Sequence, residues 1–367
     1  MNQFWSRMVR ILVVTFLCSL ASTPLAYAAH TEAKLNVQWV ADQRAVGQGG
    51  TASFHLLYHN VQNKAITITR IKLNVPAGLT GETASGAKWD AQTRSLQWTL
   101  ENIEAGGAGV LHFQLKASED IPDNTVLSLI GSVEVDGDPS ITLPTMQIRT
   151  GSETDQPFFE GYPDGKFHPY APITRAETAA AIARIESLPD DPAKQVVYSD
   201  VEDNHWASGY IRKVTQAGYM QGDGDGDGRF RPDDPISRAE LVTIVLRLKG
   251  VQAIPLRPFG DAIGHWAESV IGTAKALGYA DGISVVEFTP TAPIERQAAA
   301  KLLDIGLYRG PLNNGQITVV QHFPDVTRDM WSFGWIEEAA IVAHESIRLG
   351  NGVERLVRYL PEQTKPF

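Results

Sequence analysis

The chain has 367 residues, a single cysteine and a formal charge of −10. That acidity excludes bulk attraction to nucleic acid or to an anionic membrane, so an anionic partner would have to be met by local arginines. The length allows two or three domains with ordinary hydrophobic cores, and one cysteine leaves no disulfide to support them.

Arg7 and Arg10, an apolar run from Ile11 to Leu20 and the small-residue site Ala26-Tyr27-Ala28 predict a removable export signal over residues 1–28. Cys18 falls inside that run, with Leu17 before it rather than the small residue of a lipid-attachment site. No later segment approaches the roughly 18 continuous apolar residues of a membrane-spanning helix, so the mature chain reads as secreted, without a span.

Residues 29–150 read as one all-β domain. Seven short runs, Leu35–Val40, Ala52–Asn60, Ile66–Val75, Leu96–Leu100, Gly109–Leu115, Val126–Val135 and Ile141–Ile148, are separated by turn residues such as Pro76-Ala77-Gly78 and Asp136-Gly137-Asp138-Pro139. Their number and spacing predict an antiparallel, immunoglobulin-like sandwich. The phrasing of this segment resembles β-sandwich modules common in bacterial surface proteins. Trp39, Trp89 and Trp98, at strand spacing, are read as core or edge-packing residues rather than sugar-stacking ones.

Over residues 151–367 the pattern becomes helical and repeats itself. Gly161 to Glu177, ending Thr174-Arg175-Ala176-Glu177, returns in the stretch ending Ser237-Arg238-Ala239-Glu240, and in altered form in the stretch ending Glu295-Arg296-Gln297. A second phrase, aromatic-x-Asp followed by Trp, occurs at Tyr198 to Asp200 with Trp206, Phe259 to Asp261 with Trp266, and Phe323 to Asp325 with Trp331. The first repeat has only its second half and the last only its first. This order predicts that the segment from Asp325 to Ala343 returns to Gly161–Ile185 and closes three units into one mainly α, pseudo-threefold bundle, its end covered by the last 20 or so residues.

The two phrases resemble the S-layer homology (SLH) domain of bacterial surface proteins. The resemblance implies non-covalent anchoring to the cell wall or S-layer through a secondary cell-wall polysaccharide whose sugars bear pyruvate ketals. It maps the family's anion contact to Arg175, Arg238 and Arg296, with the Arg296 groove ranked last because Glu295 replaces the hydroxyl residue.

Physics supplies a partial account of the same residues. Thr174 with Glu177 and Ser237 with Glu240 fit the capping box, in which hydroxyl and carboxylate satisfy free N–H groups at a helix start. An arginine at the first helical position faces the positive end of the macrodipole, which suits it to sharing an anion, or to pairing with Asp200 or Asp261. On the anion reading, removing Arg175 or Arg238 weakens binding and barely changes folding. Trp206, Trp266 and Trp331 start helices and can serve both as the floor of a sugar groove and as core, with core packing the commoner role.

Asp223, Asp225, Asp227 and Asp234 have the spacing of a calcium loop, though a solvated acidic turn is the commoner explanation of such a run. No cofactor is required. No catalytic constellation is apparent, which favours an anchoring or adaptor protein over a surface enzyme or adhesin whose activity lies in the β-sandwich. Leu360-Pro361-Glu362-Gln363-Thr364 lacks the order of a sortase site, so attachment is expected to be non-covalent; assembly into a surface lattice is left open.

Overall fold

The computed structural model describes residues 34–189, 191, 198–222, 228–350 and 352–365. The expected signal therefore lies outside the described residues. From Leu35 to Thr150 two sheets face each other. One orders the strands Leu35–Ala41, Thr51–Asn60, Ala108–Ala117 and Leu79–Ala84; the other runs Ala45–Val46, Met146–Thr150, Val126–Val135, Ile66–Asn74, Ser95–Ile103 and Lys88–Asp90. The side chains between them are the alternate apolar residues of each strand, with Phe54 stacked on Phe113 at 5.2 Å and Trp98 edge-on to Phe113 at 5.5 Å. Trp39 and Trp98 are buried and donate their indole N–H groups to Pro144 O and Ser85 O, both at 2.9 Å. Gly131 makes room for the Trp39 ring: a Cβ there would lie 2.0 Å from Cη2.

Each expected strand has a counterpart; one of them is broken, and Ala45–Val46, Lys88–Asp90 and Leu79–Ala84 are added. The run Ile141–Ile148 is broken into Ile141–Thr142 and Met146–Thr150, around Pro144, which cannot donate to a ladder. Leu79–Ala84, hidden behind the Pro76-Ala77-Gly78 turn, adds an edge strand.

The C-terminal half holds helices α1 (Arg175–Ile185), α2 (Ser208–Gln216), α3 (Arg238–Leu248), α4 (Glu268–Ala276), α5 (Arg296–Gly306) and α6 (Phe333–Ala339). α1 packs on α2, α3 on α4 and α5 on α6. Gly218 and Gly278, with φ of +78° and +76°, end α2 and α4 in the left-handed conformation that glycine adopts without strain. The three turns entering α1, α3 and α5 close on one another in a ring. Ile173 N–H donates to Ile294 O, Ile294 N–H to Ile236 O and Ile236 N–H to Ile173 O, at 3.0, 3.2 and 3.0 Å, and all three isoleucine side chains are buried.

The half-repeats at the two ends meet. Asp325 accepts hydrogen bonds from the backbone N–H groups of Phe167 and His168 at 3.0 and 2.8 Å. Asp200 does the same for Phe230 and Arg231, and Asp261 for Phe288 and Thr289. The aromatic two residues before each aspartate packs on the phenylalanine that its aspartate holds: Phe323 on Phe167, Tyr198 on Phe230, Phe259 on Phe288.

The chain end is a strand pair, which helical periodicity could not show. His344–Gly350 and Val353–Tyr359 form an antiparallel hairpin flanked by Glu153–Asp155 and Leu312–Asn313. This sheet also touches the sandwich: Gly47 N–H donates to Arg348 O at 2.7 Å, and Arg348 Nη1 to Asp42 O at 3.2 Å. A Cβ at Gly47 would come within 2.6 Å of Leu349 Cδ2 and 2.8 Å of Ile347 Cδ1, so any larger residue there would make those two side chains move.

Candidate functional site

Three grooves of like construction lie between neighbouring units. Each is lined by the arginine that opens one helix, by the next unit's helix of the same kind, and by a tryptophan. Arg175 is joined by Glu240, Thr243 and Trp266; Arg238 by Ala298, Lys301 and Trp331; Arg296 by Glu177, Ala180 and Trp206.

The arginines are held alike because the turns that position them are alike. Arg175 Nε donates to Phe230 O at 2.7 Å and Nη2 to Gln221 O at 2.7 Å. Arg238 Nε donates to Phe288 O and Nη2 to Asp281 O, both at 2.8 Å. Arg296 Nε donates to Phe167 O at 3.0 Å and Nη2 to Glu160 O at 3.1 Å. Each guanidinium also lies over a phenylalanine ring, Phe230, Phe288 and Phe167 at 4.8, 4.6 and 4.7 Å. These carbonyls and ring faces offset the unfavourable position of a cation at a helix N-terminus.

The remaining nitrogen separates the three. Arg175 Nη1 donates to Glu240 Oε1 at 2.5 Å, and Arg296 Nη1 to Glu177 Oε1 at 3.2 Å. At Arg238 the corresponding position of the next helix is Ala298, and among the described residues Nη1 has no hydrogen-bond partner. Arg175 and Arg296 are 7% and 3% exposed, whereas Arg238 is only half-buried. Desolvation holds Arg238 below the ordinary guanidinium pKa, against the opposing charges of Asp281, Asp261 and Glu295.

The capping boxes at Thr174 and Ser237 are both formed, and Glu295 makes no side-chain cap. Sequence reasoning missed the second task of Glu177 and Glu240, which cap their own helices and hold the arginine of the preceding unit. The pairing of Arg175 with Asp200 and of Arg238 with Asp261 does not occur. Those carboxylates clamp backbone N–H groups instead.

Trp206, Trp266 and Trp331 are 57%, 66% and 57% exposed, so the core-packing role read from their spacing is not what the structure shows. The turn directs the following residue inward in their place: Ala207, Ala267 and Ser332 are fully buried. His205 and His265, also missed, accept from the N–H groups of Ala207 and Ala267 through Nδ1 at 3.1 and 3.2 Å and lie against their neighbouring indoles. Their repetition before Trp206 and Trp266 was the available signal; Met330 stands before Trp331.

Of the expected calcium ligands, Asp223, Asp225 and Asp227 lie outside the described residues. Asp234 is exposed, and its backbone O accepts from Arg175 N–H. A separate buried group, Asp155, Glu338 and His344, brings three ligand-type atoms within 4.8 Å of one another. Its members are already engaged in ion pairs, His344 Nε2 with Glu338 Oε2 at 2.8 Å and Arg309 Nε with Asp155 Oδ1 at 3.0 Å.

The sequence model described as the S-layer homology domain matches residues 158–179 and 197–242. The chain thus carries S-layer homology repeats, joined to an N-terminal β-rich region. Cell surface glycoprotein 1 of Acetivibrio thermocellus is 36% identical over 226 residues, which are 55% of this chain and 10% of that protein. A cellulosome-anchoring protein of the same organism is 34% identical over 220 residues, 57% of this chain and 47% of that one. An uncharacterised cell wall amidase of Bacillus anthracis is 27% identical over 202 residues, 48% of this chain and 37% of that one. The chain thus spans half or less of the length of these relatives. Among the described residues no helix is long and apolar enough to cross a membrane.

Proposed function

We propose that residues 151–367 act as one three-unit S-layer homology bundle that anchors this exported protein, without a covalent bond, to a secondary polysaccharide of the bacterial cell wall. The observation that carries this reading is the threefold groove, an arginine at a helix start beside an exposed tryptophan. An indole face receives the apolar face of a sugar ring, and a guanidinium receives an anionic substituent such as a pyruvate ketal. The names of the relatives, a cell surface glycoprotein and a cellulosome-anchoring protein, support the same location. Trp206, Trp266 and Trp331 are proposed as sugar contacts. Residues 29–150 are proposed as a displayed or spacing module with no catalytic part.

The test is sedimentation of the purified chain with isolated cell walls, before and after the polysaccharide is stripped. Binding lost on stripping is the expected result. Binding unchanged by stripping would place the partner in peptidoglycan or protein and overturn the reading.

A further inference from the structure

We propose that His55 and His112 form a site for a divalent transition-metal ion, held between their Nδ1 atoms on the outer face of the sandwich and oriented by the carboxylate of Asp42. The site is separate from the grooves between repeat units and does not depend on the wall-polymer reading.

The two histidines meet because of strand register. They stand opposite each other on the antiparallel strands Thr51–Asn60 and Ala108–Ala117. Their neighbours Phe54 and Phe113, also opposed, stack at 5.2 Å inside the sandwich. Side chains alternate between the two faces of a strand, so the imidazoles are directed to the outer face, where the repeat bundle lies. There His55 is edge-on to Tyr279 at 6.1 Å, and the Nδ1 atoms of His55 and His112 converge to 2.7 Å.

Asp42 fixes the chemistry of the pair. Its Oδ1 lies 2.9 Å from His55 Nε2 and accepts from the Tyr279 hydroxyl, also at 2.9 Å. A carboxylate on Nε2 keeps a proton there, which leaves the Nδ1 lone pair of His55 aimed at His112. Burial, and then the charge of His55, lower the His112 pKa, which favours the neutral ring that a metal ligand must be. Without metal, one proton bridges the two Nδ1 atoms. The ion takes that place when the His112 proton moves to Nε2, which the exposed ring can present to water.

Two metal–nitrogen bonds of about 2.0–2.1 Å at a tetrahedral angle set their nitrogens about 3.3 Å apart, so the rings need to open by only about 0.6 Å. A carboxylate behind a ligating histidine is the usual outer support of such a site. Imidazole nitrogen selects zinc, copper or nickel over calcium and magnesium, which take oxygen. The remaining coordination positions face a cavity of about 560 Å³ that Ser53, Ser85 and Gln114 also line. It supplies an entry path and room for bound water.

Calorimetric titration of the full mature chain with zinc, with and without calcium, tests the site. Zinc should bind, and an equal concentration of calcium should not displace it. His112→Gln should weaken zinc binding at least tenfold. Asp42→Asn should weaken it about tenfold, because His55 loses the partner that holds its tautomer. Imidazole nitrogen NMR spectra of the unaltered chain give a reading that needs no variant: zinc should move the Nδ1 resonances of His55 and His112 and leave their Nε2 atoms protonated. No zinc binding, displacement by calcium, an affinity unchanged in His112→Gln, or zinc-induced shifts confined to other histidines would overturn the proposal.

Discussion

The arginine at the head of each repeat helix is a joint between units before it is anything else. Arg175 is buried and donates to two carbonyls and one carboxylate, so truncating it leaves three acceptors unpaired. Arg175→Ala should therefore cost about 2–3 kcal/mol of stability, in contrast to the small effect expected from sequence, while Arg238→Ala should cost less, since no carboxylate is abandoned. Thermal melts of the two variants, read with calorimetry, check the order. If Arg238→Ala proves the more damaging, the assignment of Arg175 as a joint is wrong. Thr174→Ala should cost about 1 kcal/mol, because the hydroxyl that accepts from Glu177 N–H at 3.1 Å is lost from an otherwise complete cap.

At the scale of elements, closure depends on a segment late in sequence serving a loop early in it. Asp325 holds the Phe167 and His168 N–H groups across 158 and 157 residues of chain. Asp325→Ala should cost about 2–3 kcal/mol, comparable to Asp261→Ala, since both leave two loop N–H groups without a carboxylate. A melting temperature unmoved by Asp325→Ala but lowered by Asp261→Ala would mean that the ends of the bundle are joined by packing alone. The capping boxes were legible in sequence because each is a short local pattern, whereas the Asp clamps, which reach 27 to 158 residues along the chain, were not. The hairpin from His344 to Tyr359 was not, since its buried polar residues Ser346, Arg348 and Glu354 break the apolar alternation of a strand. Those residues satisfy one another only once folded: Ser346 Oγ donates to Glu354 Oε2 at 2.7 Å and Arg348 Nη2 to Glu354 Oε1 at 2.8 Å.

For the whole molecule, the sandwich and the bundle are joined by a polar seam that makes stability depend on pH. Burial lowers Lys249 to about 7, with Asp42 opposing; its ammonium lies 3.2 Å from Ala41 O and 3.8 Å from the centre of the Tyr308 ring. Burial, and then Glu338, raise Glu354 to about 8. His344 reaches about 9 because Glu338 outweighs the desolvation that acts to lower it. For Glu354 and His344 the folded chain holds a proton that the unfolded chain has lost above 4.5 and 6.5, so their contribution declines as pH rises. Lys249 has the opposite sign between about 7 and 10.5, where only the unfolded chain is protonated. The melting temperature should fall from pH 5 to about pH 8 and flatten between about 8 and 9, and Lys249→Met should steepen the fall above pH 7 and extend it to about pH 9. A profile of Lys249→Met parallel to that of the parent above pH 7 would show that Lys249 does not titrate in the seam.

The sequence by itself determined the β region, the repeated helix starts, the half-unit order and the identity of the three arginines, because each is written in local spacing or in repetition along the chain. Only the tertiary structure decided what those arginines meet. The partner of each comes from the next unit, 65 residues away for Arg175 and Glu240 and 119 for Arg296 and Glu177. A carboxylate that caps its own helix looks complete in sequence, and its second bond appears only when units stand side by side. For the same reason Ala298 reads as an unremarkable helix residue along the chain. Across the groove it is the absent carboxylate that leaves Arg238 open.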